Sequence, residues 1–211
     1  MNMIKPIERD ISRKGRATIE KLLEVTISEL DRVGLAEIDI DSLLRKSKIS
    51  KGSLYHHFGS KNGLLAAAEA KQFMQYLNRE GIVFREMIEK CSTKQEFVKL
   101  VSTVMKITRL KENREFRKKR VRAIAMSFND PKLAEILASA QKQVSEYLAD
   151  TFEIARDRGW VKPEVNLLTL SYWIQGVFIG HIMLDITGQT EHEEGWSETA
   201  FLALQSFLTV D

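Results

Sequence analysis

Apolar residues recur every three or four positions along most of the chain, and no segment alternates apolar and polar residues as a half-buried strand does. The first apolar stripe stops just before Gly34, a residue typical of helix C-termini. Its members are Ile19, Leu22, Leu23, Ile27, Leu30 and Val33. This pattern predicts an all-α protein, with about nine helices over the whole chain.

Small polar residues ahead of the next apolar stretches predict where three further helices begin. Asp39 is the expected N-cap of a short helix that has Ser42 in its first turn. Ser50 is the expected N-cap of a second short helix that ends at Phe58. Ser60 opens a longer helix, which is expected to run from Lys61 to about Arg79. A tight turn between two short helices of this kind is typical of a helix-turn-helix.

Five more helices are predicted beyond this segment. One of them begins with Asp130-Pro131, an N-cap followed by proline at the first helical position. Another is apolar almost all round, which predicts burial on several sides. Their predicted ranges are Lys94–Leu110, Asn113–Phe128, Pro131–Arg158, Leu167–Ile186 and Trp196–Val210.

The composition is that of a soluble globular protein, with 44% hydrophobic and 29% charged residues. No run of about 18 uncharged apolar residues indicates a membrane span, and the first residues lack the apolar core of a signal peptide. The single cysteine, Cys91, has no partner in the chain for a disulfide. We therefore expect a cytoplasmic protein without membrane contact.

Positive charge is concentrated near the N-terminus. Residues 45–61 include five Lys or Arg and no Asp or Glu, although the whole chain carries a net charge of only +3. Such a block beside acidic helices is typical of a DNA-binding surface. Charge alone leaves open the alternative of an ordinary solvated face.

The basic block contains the last helix of the predicted helix-turn-helix, the element that enters the major groove of DNA. Leu54 and Phe58 lie four residues apart and therefore share the face turned to the core. The faces turned away from the core carry Lys51, Gly52, Ser53, Tyr55 and His56. Glycine weakens a helix by about 1 kcal/mol relative to alanine, and close approach of DNA to the backbone at Gly52 is the expected compensation.

The segment from Ile19 to Leu65 resembles the DNA-binding domain of the tetracycline-repressor (TetR) family of bacterial regulators. The matching features are the apolar first helix, Gly34, the capped second helix, the string Ser50-Lys51-Gly52-Ser53-Leu54-Tyr55-His56-His57-Phe58, Lys61 and Leu64-Leu65. The rest of the chain matches only in the number, length and order of its helices. The resemblance implies a DNA-binding domain over residues 1–65 and a ligand-binding and dimerisation domain over residues 66–211.

Roles for individual residues follow from the same resemblance. It implies contacts to base edges by Lys51, Gly52, Tyr55 and His56, and contacts to phosphates by Ser42, Ser53, His57 and Lys61. Two positions depart from the family pattern. Lys48 stands where the turn usually has glycine, so it must adopt a positive φ or reshape the turn. Asp41, at the edge that meets DNA, would repel a phosphate unless it turns away.

The resemblance also implies that the C-terminal helices form a ligand chamber and a dimer interface. Gly176 and Gly180 lie four apart on the most apolar helix, where missing side chains would let another helix approach closely. A symmetric dimer is also the physical default for a short domain that reads one half-site. We expect Leu167–Ile186 and Trp196–Val210 to form a four-helix dimer bundle, and a core within one chain is the alternative.

No cofactor or metal is expected, because the neighbouring histidines have no third ligand at usable spacing. A small apolar or amphipathic effector is expected instead, oriented by polar or adaptable side chains within apolar stretches. The candidates are Tyr76, Met105, Thr108, Trp173, Gln175 and His181. Each of them could equally be a core or interface residue.

A second basic run, Lys111–Arg122, has seven Lys or Arg and two Glu. It could contact the DNA backbone, attract an acidic effector or hold the two domains together. The plain alternative is a solvated helix face, which we expect here.

The leading hypothesis is a homodimeric repressor that releases operator DNA when an effector binds. The alternative is a ligand-independent activator or architectural factor, controlled by a protein partner through the basic helix. An enzyme is not expected, because no Ser/His/Asp set, carboxylate pair or metal-ligand spacing is present in the sequence. The effector, the operator, the regulated genes and the sign of regulation do not follow from the sequence.

Overall fold

The computed structural model of the chain describes residues 12–34, 37–107 and 110–209. Within these ranges the chain is helical, with no strand beyond an isolated bridge between Val161 and Leu208. The elements are α1 (Arg13–Val33), α2 (Ile40–Ser47), α3 (Lys51–Phe58), α4 (Lys61–Lys90), α5 (Lys94–Ile107), α6 (Lys111–Ser127), α7 (Pro131–Asp157), α8 (Leu167–Gly180), α9 (Ile182–Thr187), a 3-10 turn (Thr190–His192) and α10 (Glu193–Gln205). The all-α prediction is confirmed.

The described residues form two compact units. One contains residues 12–76 and 122–141, and the other contains residues 77–121 and 142–209, each within the described ranges. Helices α4, α6 and α7 contribute residues to both units.

The first unit has a core made by the inward faces of α1 to α4. Its fully buried members include Leu22, Leu43, Leu54 and Leu64, one from each helix. Burial of these side chains contributes about 1.5–3 kcal/mol each relative to exposure. The core therefore fixes the orientation of the two short helices, α2 and α3, against α1 and α4.

The second unit has a core rich in aromatic side chains. Phe97 of α5 packs against Phe152 of α7 with ring centroids 6.4 Å apart, and it stacks on Trp160 at 5.6 Å. Trp173 of α8 meets Phe207 edge-on at 5.5 Å. These contacts join α5, α7, α8 and the C-terminal segment into one packed layer.

Several predicted boundaries differ from the structure. Helix α4 continues to Lys90 rather than ending near residue 79, since no proline or capping glycine interrupts it and Gly81 is tolerated inside a helix. The predicted helix Leu167–Ile186 is divided at His181 into α8 and α9. The last helix begins at Glu193 and ends at Gln205, earlier at both ends than predicted.

By length and composition alone, Leu167–Thr187 could cross a bilayer. This is weak evidence, because a core helix of a soluble protein has the same composition. The segment is divided at His181, and it carries the buried polar side chains Ser171 and Gln175.

Candidate nucleic-acid interface

The turn between α2 and α3 sets the direction of the third helix. Lys48 adopts φ 55° and ψ 34°, the left-handed conformation, and it is the one described residue other than glycine with a positive φ. The prediction that lysine at this position must take a positive φ is confirmed. The N–H of Ile49 then donates to the carbonyl of Leu44 at 3.3 Å, which closes the end of α2.

Caps at both short helices are formed by the predicted residues. The Asp39 carboxylate accepts hydrogen bonds from the N–H groups of Asp41 and Ser42, each at 3.1 Å. The Ser50 hydroxyl accepts from the N–H of Ser53 at 3.2 Å, and it donates to the Ser53 hydroxyl at 3.1 Å. A cap of this kind contributes about 1 kcal/mol to helix stability.

Helix α3 is anchored through one face and leaves another in solvent. Leu54 and Phe58 are buried against the core of the first unit, as predicted. The exposed residues are Lys51, Gly52, Tyr55 and His56, whereas Ser53 and His57 are half-buried. The four residues for which base contacts are implied therefore lie on the solvent side of α3.

Two glycines near this helix serve different purposes. A Cβ on Gly63 would lie 2.1 Å from the carbonyl oxygen of Phe58, so the chain itself requires glycine where α4 passes the end of α3. A Cβ on Gly52 would meet only the Ser50 hydroxyl, at 4.0 Å. The packing of the chain therefore gives no reason for glycine at position 52.

Part of the basic block holds the helices together. The Lys46 ammonium donates to the Glu29 carboxylate at 2.7 Å, and Arg32 donates to the same carboxylate at 2.8 Å. Hydrogen bonds from Arg32 and then from Lys46 lower the pKa of Glu29 to about 2. Lys46 therefore ties α2 to α1, and the charge block predicted from the sequence is smaller on the solvent side.

The residues predicted to hold phosphates differ in their surroundings. The Lys61 ammonium donates to the carbonyl of Ile38 at 2.8 Å, which places this cation beside the start of α2. Ser42 is half-buried, and its N–H is already bound by the Asp39 cap. Asp41, the acidic departure, is exposed next to it.

Comparisons with known proteins agree with this geometry. The family model described as "Bacterial regulatory proteins, tetR family" matches residues 22–68, which include α2, α3 and the start of α4. The chain is 25% identical over 173 residues to the HTH-type transcriptional regulator UidR of Escherichia coli (strain K12), covering 78% of this chain and 83% of that protein. Residues 22–68 therefore match the DNA-binding segment of the TetR family, and the longer match to UidR supports the same family.

Solved structures share the fold across nearly the full chain. A TetR-family regulator from Mesorhizobium loti has a TM-score of 0.65 at 15% identity, covering 94% of this chain and all of that one. A transcriptional regulator from Saccharomonospora viridis, solved in complex with choline, has a TM-score of 0.61 at 13% identity, covering 93% and 100%. These likenesses show that the fold is shared. The family model and the curated relatives support a DNA-binding transcriptional regulator.

The structure describes four of the six residues predicted for an effector, and these four lie in the second unit. The side chain of Tyr76 and all of Thr108 lie outside the described residues. Met105 is buried on α5, and Trp173 packs into the aromatic core. The remaining two, Gln175 and His181, lie on α8 and at its end.

Gln175 belongs to a buried polar group that joins three helices. Its amide donates to the Ser145 hydroxyl of α7 at 3.0 Å, and its carbonyl accepts from the Arg120 guanidinium of α6 at 3.3 Å. Burial lowers the pKa of Arg120 to about 10. Gln175 is therefore a bonded interior residue in the absence of any ligand.

Helix α6 turns several of its arginines inward, so the expectation of a solvated face for Lys111–Arg122 is wrong. Arg117 is fully buried and donates to both carboxylate oxygens of Asp185, at 2.7 and 2.8 Å. Its guanidinium also lies 5.5 Å from the ring of Phe178. Arg122, at the other end of the helix, donates to the buried Glu69 carboxylate of α4 at 2.7 Å. Basic residues here balance buried acids, and charge counting along the sequence gave no sign of it.

His181 lies fully buried beside this ion pair. Its Nδ1 is 3.6 Å from the Asp185 carboxylate, and its ring meets Trp196 edge-on at 5.8 Å. Neither ring nitrogen has a hydrogen-bond partner among the described residues. Burial and the Arg117 charge lower the pKa of His181, so the imidazole is neutral near pH 7.

One glycine assigned to a dimer contact has a role inside the chain. A Cβ on Gly180 would lie 3.2 Å from the indole of Trp196, so this glycine makes room for the last helix of the same chain. A Cβ on Gly176 would meet no atom within 4 Å among the described residues. Of the two glycines, only Gly176 therefore leaves open space through which a partner helix would approach closely.

Proposed function

We propose that this protein is a repressor that binds a two-fold symmetric operator as a homodimer and leaves it when a small effector binds. In this proposal residues 1–65 bind DNA, and residues 66–211 provide the effector chamber and the dimer interface, in the cytoplasm. The observation that carries it is the solvent-facing row Lys51, Gly52, Tyr55 and His56 on a helix anchored by its opposite face. A row of this kind can enter a major groove without disturbing the core.

The dimer is supported by apolar side chains left in solvent on the last helices. They are Leu168 and Tyr172 of α8, Met183 and Ile186 of α9, and Leu202 of α10. Ile186 is 75% exposed in the single chain. Several large apolar side chains left in solvent on consecutive helices are typical of a protein contact. A second copy would cover it by two-fold symmetry, as the resemblance implies.

Effector release is supported by the family and by the solved relative that holds choline. The buried polar side chains Gln175 and His181 could orient such a molecule, with Met105 as an adaptable apolar neighbour. The two half-sites of an operator lie about 34–36 Å apart, and the dimer must match this spacing to bind. An effector lowers operator affinity by the factor by which it binds a mismatched dimer geometry more tightly than the matched one.

Operator recognition is tested by selecting duplex sequences from a random pool and then measuring affinity by fluorescence anisotropy. His56→Ala should weaken binding to the selected operator about tenfold or more, because one base contact contributes about 1–3 kcal/mol. His192→Ala is the matched control, since His192 is an exposed histidine far along the chain in the 3-10 turn. Equal affinities of both variants and the wild type, or no sequence selectivity at moderate salt, would refute the proposed reading surface.

Dimerisation is tested separately by light scattering on the purified chain. Leu202→Glu places a charge in the proposed interface and should yield monomers. Leu110→Glu, at another exposed leucine, should leave the dimer intact. A reporter gene behind the selected operator then gives the sign of regulation. Activation in place of repression would favour the ligand-independent alternative.

A further inference from the structure

A groove of about 630 Å³ opens on the second unit, between α5 and the C-terminal segment. One wall is the α5 stripe of Lys94, Val98, Ser102 and Lys106, with Gln95, Lys99 and Thr103 beside it. The other wall is formed by Phe201, Gln205, Leu208 and Thr209. None of these residues is among those predicted for the effector, and the second wall lies within Trp196–Val210, one of the two segments predicted for the dimer.

The lining combines an apolar floor with a cationic rim. Val98 and Phe201 are half-buried and Leu208 is buried, so hydrocarbon forms the base of the groove. The charged lining residues are Lys94, Lys99 and Lys106, and no carboxylate lines the groove within the part of the chain that the structure describes. Lys94 and Lys106 stand about 18 Å apart along α5, because twelve residues of helix rise 1.5 Å each.

The structure holds the two walls in place. The Lys94 ammonium donates to the carbonyl of Thr209, which pins the end of the chain to α5. The Thr209 N–H donates to the carbonyl of Trp160 at 3.1 Å, and Leu208 pairs with Val161. The groove is therefore built by tertiary contacts, and its volume lies within the range of small-molecule sites.

We propose that this groove binds a small amphipathic carboxylate, with the hydrocarbon body on Val98, Phe201 and Leu208 and the carboxylate at Lys99 and Lys106. Charge complementarity favours an anion, since each charged side chain among the described lining residues is a cation. The apolar floor selects a hydrocarbon body over a bare inorganic anion. The site is separate from the proposed effector chamber, so it stands or fails independently of the repressor function.

Isothermal titration of the full-length protein with octanoate tests the proposal, with 1-octanol and octylammonium as matched neutral and cationic probes. Octanoate should saturate a site with a Kd below about 1 mM, 1-octanol should bind more weakly, and octylammonium should not bind. Lys99→Gln should weaken octanoate binding about threefold, and Lys99→Glu should weaken it further. Lys142→Gln, at an exposed lysine of α7, is the control and should not change the affinity.

Val98→Asp tests the apolar floor, and its thermal unfolding curve establishes that the variant is folded. Loss of octanoate binding in folded Val98→Asp supports the groove. Octanoate binding that persists in both Val98→Asp and Lys99→Glu lies at another site and overturns the proposal. Equal binding of octanoate and octylammonium, or no binding of octanoate, overturns it as well.

Discussion

Alanine at position 52 separates the stability of the recognition helix from its ability to bind DNA. Gly52 is the second residue of α3, it is exposed, and a Cβ there would meet only the Ser50 hydroxyl at ordinary contact distance. Glycine lowers helix stability by up to about 1 kcal/mol relative to alanine, and the effect is smaller in the first turn. Gly52→Ala should therefore stabilise the protein by about 0.5 kcal/mol, or about 1–2 °C in Tm.

The same methyl group should weaken operator binding. It would project from the face of α3 that carries Lys51 and Tyr55, where the proposed complex brings the backbone close to base edges. Overpacking of a tight contact by one methyl group typically costs about 1–3 kcal/mol, which corresponds to a loss of affinity of roughly 5- to 150-fold. Urea unfolding measures the first effect, and fluorescence anisotropy with the selected operator measures the second.

Gly195→Ala is the matched control for this experiment. Gly195 is exposed in the first turn of α10, and a Cβ there has no neighbour within 4 Å among the described residues. This variant should gain similar stability and keep wild-type operator affinity. Wild-type affinity of Gly52→Ala, together with the expected gain in stability, would refute close approach of DNA at Gly52. A loss of stability would contradict the open space that the structure gives this position.

Three further predictions concern the interior and the turn. Arg117→Met should lower the free energy of unfolding by about 3 kcal/mol or more in a urea titration, because it leaves the buried Asp185 carboxylate without its bidentate partner. Lys118→Met, at an exposed site of the same helix, is the control and should change this free energy by less than about 1 kcal/mol. The folded-state pKa of His181 lies below its ordinary value of 6.5, so its contribution to stability is complete above that value and is lost as the pH falls below it. Unfolding free energies between pH 7.5 and 5.5 should therefore fall more steeply for the wild type than for His181→Gln, and parallel profiles would contradict this role. Lys48→Gly should stabilise the protein by about 1 kcal/mol, because glycine adopts the left-handed conformation without the steric cost that a Cβ imposes. A lower urea midpoint for this variant would show that the lysine makes compensating contacts.

Buried ion pairs explain why the role of α6 is ambiguous in the sequence. A run of seven basic residues resembles a solvated or DNA-facing helix when the partners are unknown. The acids that bind it come from distant positions, Asp185 for Arg117 and Glu69 for Arg122. Burial of an arginine becomes tolerable only when such a partner is positioned by packing, and spacing along the chain does not reveal it.

The sequence by itself determined the architecture of the DNA-binding unit. Helix periodicity, the caps at Asp39 and Ser50 and the opposed faces of α3 are local properties, since each depends on residues within about four positions of one another. The left-handed Lys48 is one of the two alternatives that the family resemblance implied for this position. These features predicted which residues of α3 lie in solvent, and the structure agrees.

Only the tertiary structure decided how charges and small residues are used. Lys46 binds the Glu29 carboxylate, and the missing side chain of Gly180 leaves space for the indole of Trp196. The predicted helix Leu167–Ile186 is divided at His181. Each outcome depends on a partner from a distant part of the chain, which no local pattern identifies. Hydrophobic periodicity therefore predicted the helices and their buried faces, whereas packing between helices decided which polar residues are paired in the interior and which remain on the surface.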